Sequence, residues 1–300
     1  MASTAAILRT SSHHTHHPLH SKPFSASNIF FSISNPLARS LKTKAIKMEG
    51  GDVRGDGEAS GSAQRKKKVF VAGATGGTGR RIVEHLLAKG FAVKAGVRDI
   101  AAGKSSFLSN PALEFVKADV TEGSDKLAEA IGDDTDVVVC ATGFRRSWDL
   151  TVPWKVDNFG TVNLVDACRK NGVDRFILIS SILVNGAAMG QLLNPAYVFL
   201  NVFGLVLIAK LKAENYIRAS GINYTIVRPG GLRNDPPSGN IVLEPEDTLY
   251  EGSISRDQVA EVAVEALLHP EASYKVVEII ARPDAPSRPL KDLFAAIKSK

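Results

Sequence analysis

Val69-Phe-Val-Ala-Gly-Ala-Thr-Gly-Gly-Thr-Gly79 decides how this chain folds. Three apolar residues, Val69, Phe70 and Val71, run into a turn where Gly73, Gly76 and Gly79 are spaced by three. Ile82, Val83, Leu86 and Leu87 then fall on one face at helical spacing. A buried strand, a glycine turn and a helix start, in immediate succession, make a device for holding phosphate. Glycine lets the backbone turn sharply and approach a diphosphate closely. The unpaired N–H groups and the dipole of the helix start at Thr78-Gly79 attract its negative charge. A glycine triplet alone says little, but between a strand and a helix it has the context the mechanism needs.

Outward from that stretch, apolar strands alternate with helical patterns. Strands are predicted over 91–97, 113–118, 136–141, 175–180, 224–228 and 274–280. Helices are predicted over 124–131, 156–170 (closed by Asn171-Gly172), 256–268 and 290–297, with a further one ending near Ser220-Gly221. Continuous apolar strands alternating with helices imply a parallel sheet covered on both faces. The expected fold is a doubly wound α/β sheet of Rossmann type, one domain over residues 66–300, with its ligand at the carboxyl ends of the strands.

Composition bounds the rest. At 44% hydrophobic residues the chain can build a real core. The net charge of +6 comes entirely from residues 1–48, which hold Arg9, Lys22, Arg39, Lys42, Lys44 and Lys47 and no Asp or Glu. The remainder is neutral, which argues against nucleic acid as a partner. Rich in Ser and Thr, the leader reads as an organellar transit peptide, most like a chloroplast one. Residues 49–65 read as a polar, glycine-rich linker. Cys140 and Cys168 fall in apolar patterns and read as reduced core residues without companion metal ligands. The leader histidines 13, 14, 16, 17 and 20 suggest no site. No uninterrupted apolar run of 18 residues exists, so no transmembrane helix is expected.

If the sheet is right, each strand tip carries ligand-facing residues. Arg98 lies nineteen residues beyond Gly79, where an acid would hold the ribose diol of NAD. Arginine there suits a 2′-phosphate, which favours NADP(H), with NAD(H) still open because Asp99 follows at once. At the third strand tip stand Asp119 and Val120, suited to adenine. At the fourth stand Ala141, Thr142 and Gly143, small enough to let a ribose pass. Helix caps and tight turns would use the same residue types.

Further pieces fall in order along the chain: Gly160-Thr-Val-Asn-Leu164, Phe176-Ile-Leu-Ile-Ser-Ser181, Val227-Arg-Pro-Gly-Gly-Leu232 and Ile254-Ser-Arg-Asp-Gln-Val-Ala260. With the glycine turn and Asp119-Val120, they resemble the atypical short-chain dehydrogenase/reductase family over residues 66–285. The likeness is to its plant chloroplast NAD(P)-binding members, related to the dehydrogenase-like subunit of the inner-envelope import translocon. It implies a Rossmann fold binding NADP(H) through Gly73, Thr75, Gly76, Gly77, Thr78 and Gly79. It also implies that Pro229, Gly230 and Gly231 lie near the nicotinamide.

In that family a Tyr donates a proton, a Lys four residues later lowers the phenol pKa, and a Ser orients the carbonyl. Ser181 fits the Ser, and Lys210, with Glu214 four residues on, fits the Lys; Lys212 is the alternative register. Val206 stands where the Tyr belongs and cannot give a proton. Tyr197, on the same segment, is thirteen residues from Lys210, about 20 Å along a continuous helix. Lys210 still suits the nicotinamide ribose.

Two readings follow. One is a reductase whose small, apolar or conjugated acceptor (flavin, quinone or similar) needs no protein acid. The other is a non-catalytic NADP(H)-dependent redox sensor or scaffold at a plastid membrane. An RNA-associated scaffold is a third, which the neutral core opposes. The apolar segment 192–209 suits a core helix, an apolar pocket wall or peripheral contact with a membrane or lipid droplet. The expected location is the plastid, in the stroma or peripheral on thylakoid, envelope or plastoglobule.

Overall fold

The computed structural model describes residues 66–143 and 147–298; the expected leader over 1–48 and the linker over 49–65 lie outside the described residues. Lys68–Ala72 forms β1, and the glycine turn delivers the chain into helix α1, Gly77–Ala88. Strand β2, Ala92–Val97, lies parallel to β1 with Val71 opposite Ala95. Helix α2 (Ile100–Ser105), strand β3 (Leu113–Lys117), helix α3 (Ser124–Ile131) and strand β4 (Val137–Cys140) follow. Strand β4 pairs on the other side of β1, so the strand order reverses beside the glycine turn. That reversal opens the crevice in which doubly wound sheets hold ligands.

A π-helical turn, Trp154–Phe159, runs into α4 (Gly160–Asn171), which ends at Gly172 in the left-handed region, φ 67°. Next come β5 (Arg175–Ile179), α5 (Pro195–Val202), α6 (Val206–Ala219) and β6 (Asn223–Pro229). The chain closes with β7 (Gly231–Arg233), β8 (Asn240–Pro245), β9 (Ser253–Ser255), α7 (Arg256–Leu268), β10 (Lys275–Arg282) and α8 (Leu290–Ala296). The main sheet is ordered β3-β2-β1-β4-β5-β6-β10-β8, and β7 pairs with β9 in a small parallel ribbon.

Side-chain alternation in β1 divides the core in two. Val69 and Val71 face Ile82, Val83 and Leu86 of α1 and Val259, Val262 and Ala263 of α7. Phe70 and Ala72 face Leu127 and Ile131 of α3, Leu164 of α4 and Ile217 of α6. Both faces are covered, which is why these strands read as unbroken apolar runs. Each large side chain sealed there, such as Phe70 or Ile177 at 0% exposure, contributes roughly 1.5–3 kcal/mol. The doubly wound fold is the one expected.

Four details differ from the sequence reading. The sheet is not wholly parallel: β8 returns antiparallel to β10, Ile279 opposite Leu243. An antiparallel edge strand needs no helical crossover, so no long pattern announces it. Asp99 caps α2, which was not foreseen, through bonds from the Ala101 and Ala102 N–H groups. The helix expected over 156–170 begins as π-helix and becomes α only at Gly160. Residues 192–209 contribute to two helices, α5 and α6, bent by 87°. At the bend Gly204 (φ 91°) and Leu205 (φ 59°) are left-handed, and a Cβ at Gly204 would collide with the Leu150 carbonyl. The thirteen residues from Tyr197 to Lys210 therefore do not run along one axis, and the 20 Å figure falls away.

Candidate functional site

The glycine turn is held open by what its glycines lack. Gly73 is left-handed (φ 76°), and a Cβ there would lie 2.9 Å from the Ala141 carbonyl oxygen. A Cβ at Gly79 would strike the Gly73 carbonyl. Gly76 N–H donates to that same carbonyl at 2.9 Å, and Arg80 N–H begins the helix by donating to Gly76. Helix α1 starts without a side-chain cap and without an acidic residue in its first turn. By contrast α2 is capped by Asp99, and α7 by a Ser255–Gln258 capping box. The bare first turn of α1 is what an external anion would satisfy.

A cleft of about 540 Å³ opens from this turn along the tips of β1, β2, β3 and β4. Gly73, Thr75, Gly76, Arg98, Asp119, Val120, Ala141, Thr142 and Gly143 line it. Arg98 is exposed, while Oδ1 of Asp99 accepts the N–H groups of Ala101 and Ala102 at 2.8 and 3.1 Å. Asp119 accepts the Thr121 N–H at 2.9 Å, and Val120 is buried against Gly160. The far wall is the segment at 147–156, a loop with Asp149 that runs into the π-helical turn carrying Lys155.

Beyond the β4 tip lies a second group of polar side chains. Lys210, on the second turn of α6, pairs with Asp157 at 2.8 Å, their side chains 14% and 0% exposed. Burial works against the lysine's charge, but the Asp157 carboxylate outweighs it and holds Lys210 above its ordinary pKa. A Cβ at Gly143 would stand 3.9 Å from Asp157 Oδ1, so this ion pair sits beside the β4 tip. Below it, Cys140 Sγ lies 3.2 Å from Thr142 Oγ1, and burial pushes that thiol up.

One turn further along α6 lies a separate buried network. Glu214, fully buried, takes the Ser180 hydroxyl at 2.5 Å and the Arg228 Nη2 at 2.7 Å. Arg228 also reaches Asp247 at 2.7 Å and Glu278 at 3.3 Å. Ser180 is thus committed to structure, leaving half-buried Ser181 as the serine at the β5 tip. Ile182 N–H donates to the Pro229 carbonyl at 3.0 Å, which brings Ser181 beside the Pro229-Gly230 turn.

Comparison with known proteins decides what this arrangement belongs to. A family model described as NAD(P)H-binding matches residues 73–270. The chain belongs to that NAD(P)H-binding family. An uncharacterised chloroplastic protein of Arabidopsis thaliana is 66% identical over 278 residues, 92% of this chain and 97% of its own length. The chloroplastic protein TIC 62 of Pisum sativum is 39% identical over 256 residues, 77% of this chain and 46% of its own length. A putative NAD-dependent epimerase/dehydratase from Bacillus halodurans superposes with a TM-score of 0.66 at 26% identity, covering 77% of this chain and all of that one.

The residues present fit the nicotinamide dinucleotide of the family: an uncapped helix start behind a glycine cradle, leading into a cleft with a cation at one end. Of the sequence-predicted residues, the cleft gathers those of β1, β2, β3 and β4. Gly77, Thr78 and Gly79 begin α1 and are not among the residues lining the cleft, Thr78 and Gly79 being buried. Ser181, Lys210, Pro229, Gly230 and Gly231 do not line the cleft. Gly230 is packed where a Cβ would meet the Gly252 carbonyl at 2.7 Å. Sequence reading missed Asp157 and the wall at 147–156.

Proposed function

We propose that this NAD(P)H-binding protein is an NADPH-dependent reductase of the plastid, acting on a conjugated acceptor such as a flavin or quinone. Gly73, Gly76, Gly77 and Gly79 cradle the diphosphate, and Asp119 with Val120 hold adenine. Thr142 and Lys210 meet the nicotinamide ribose, with Ser181, Pro229 and Gly230 by the reacting ring. Bound NADPH supplies the hydride.

The observation that carries the NADP preference is the division of labour between Arg98 and Asp99. Asp99 spends an oxygen on capping α2, while Arg98 stands exposed on the cleft wall with donors for a 2′-phosphate. The acceptor class follows from Val206 and Lys210. Val206 is 5% exposed, buried at the start of α6 with no proton to give. Lys210, its charge held by Asp157, is a poor acid but a fixed cation. It stabilises negative charge developing on an acceptor, and solvent supplies the proton. Acceptors that delocalise charge suit such a site, and simple ketones do not. The chloroplastic relatives and the leader composition support the plastid.

One observation favours a second reading, a redox sensor docked on a plastid membrane. Leu193, Val202 and Phe199 on and beside α5 are 91%, 64% and 58% exposed. No single helix among the described residues is long and apolar enough to cross a membrane. One experiment separates the readings: titrate the protein with NADPH, then follow NADPH oxidation against flavin, quinone and carbonyl panels. Turnover confined to flavins or quinones supports the reductase. Tight binding without any turnover, with membrane affinity that changes between NADPH and NADP⁺, sinks it in favour of the sensor.

A further inference from the structure

Arg256 opens α7, and its side chain lies across the first residue of α1. A Cβ added at Gly77 would stand 3.0 Å from both Cδ and Nε of Arg256. The guanidinium is steadied from the side by neutral groups: Nη1 donates to Asn234 Oδ1 at 2.8 Å and reaches the Leu232 carbonyl at 3.5 Å. The acid next to it, Asp257, faces His85 at 3.0 Å. Among the described residues no carboxylate pairs with Arg256. A cation at a helix N-terminus works against the dipole, and here it stands at the starts of both α1 and α7. Neither an acid in the first turn of α1 nor a side-chain cap offsets it.

Gly77 sharpens the point. The turn already has its glycines at 73, 76 and 79, and Gly77 is not needed for the bend. Any side chain at that position would have to displace the Arg256 side chain, which lies against Gly77. The glycine leaves room for the guanidinium to lie over the first residue of α1.

We propose that Arg256 is a diphosphate-binding residue, closing the dinucleotide site from the C-terminal half of the chain. This rests on the family's nicotinamide dinucleotide lying at the glycine turn. Its two phosphates are the anion that the α1 N–H groups and the Arg256 guanidinium are both without. The β7–β9 ribbon and Asn234 hold the arginine in place, so the phosphate site is built by both halves of the fold.

The test is a set of calorimetric titrations of the full chain with NADPH, NADH and adenosine 2′-monophosphate, at several salt concentrations. Arg256→Gln weakens NADPH and NADH by the same factor, about tenfold or more, as loss of a charge-assisted contact does. It leaves adenosine 2′-monophosphate unchanged and makes the salt dependence of NADPH binding shallower. Arg256→Lys, which keeps the charge, recovers part of the loss. Unchanged dinucleotide affinity in Arg256→Gln overturns the proposal. So does an equal loss for adenosine 2′-monophosphate with a lower melting temperature of the free protein, the mark of a structural role. If the unsubstituted protein binds neither dinucleotide, the cofactor reading itself fails, and this proposal with it.

Discussion

Arg98 and Lys210 divide the proposed chemistry between recognition and reaction, and each makes a separable prediction. Arg98→Ala weakens NADPH by about 10- to 150-fold, the worth of roughly 1.5–3 kcal/mol of charge-assisted hydrogen bonding. NADH affinity stays within a few-fold, so the ratio of the two dissociation constants is the measurement. Lys210→Met lowers kcat with a flavin or quinone acceptor by about 10²–10³, the range for removing one fixed electrostatic stabiliser. Arg228 is different in kind. Removing it leaves Glu278 without its cation and Glu214 with only the long contact to Arg218 at 4.0 Å, both carboxylates 0% exposed, so Arg228→Met costs about 3–5 kcal/mol in urea unfolding. A melt that hardly moves would mean those carboxylates find other partners.

At the scale of the element, caps and loop ends decide what sequence could and could not reveal. Helix α7 was legible to the residue, 256–268, because Ser255 and Gln258 close both ends of a capping box. Ser255→Ala should cost about 1 kcal/mol in thermal unfolding. Strands β1, β4 and β5 were legible because burial on both faces makes their centres unbroken apolar runs. Strand β8 was not, since Asn240-Ile-Val-Leu-Glu-Pro245 is half-buried at the sheet edge and is followed by no helical crossover that would mark it. The glycine turn and the strand tips pointed to Gly73, Gly76, Arg98, Asp119 and Thr142, all of which line the cleft. Asp157 and Arg256 stayed hidden because their partners, Lys210 and Gly77, are 53 and 179 residues away. The loop before β4 offers a pH test. Hydrogen bonds from Lys68 and Lys94 hold Asp134 down at about 2. Its folded pKa lies below the unfolded value near 4, so its stabilising effect is present above pH 4 and fades as pH falls towards 2. An Asp134→Asn variant should therefore differ from the parent near neutrality and converge with it at low pH. Because the carboxylate is partly exposed, the difference is small and shrinks with salt.

For the whole molecule, the two core layers and the site share one sheet: alternation along β1 separates the layers, and the order reversal beside β1 opens the cleft. Dinucleotide that binds only the folded chain should raise its stability by about 2.7 kcal/mol at a hundredfold excess over Kd, and a thermal shift with NADPH checks this. The exposed apolar side of α5 is the feature most at odds with a free-standing enzyme. Phe199→Lys should abolish any vesicle association while leaving NADPH affinity intact, and equal vesicle binding by both forms would clear α5 of that role. The two cysteines carry a last consequence. Cys140 and Cys168 are each wholly enclosed beneath the sheet, and burial pushes both thiols above their usual range. Disulfide reagents and peroxide can reach neither sulfur until the chain opens. The rate at which an aromatic disulfide dye is consumed therefore clocks spontaneous unfolding of the native protein, two equivalents per molecule, without any denaturant.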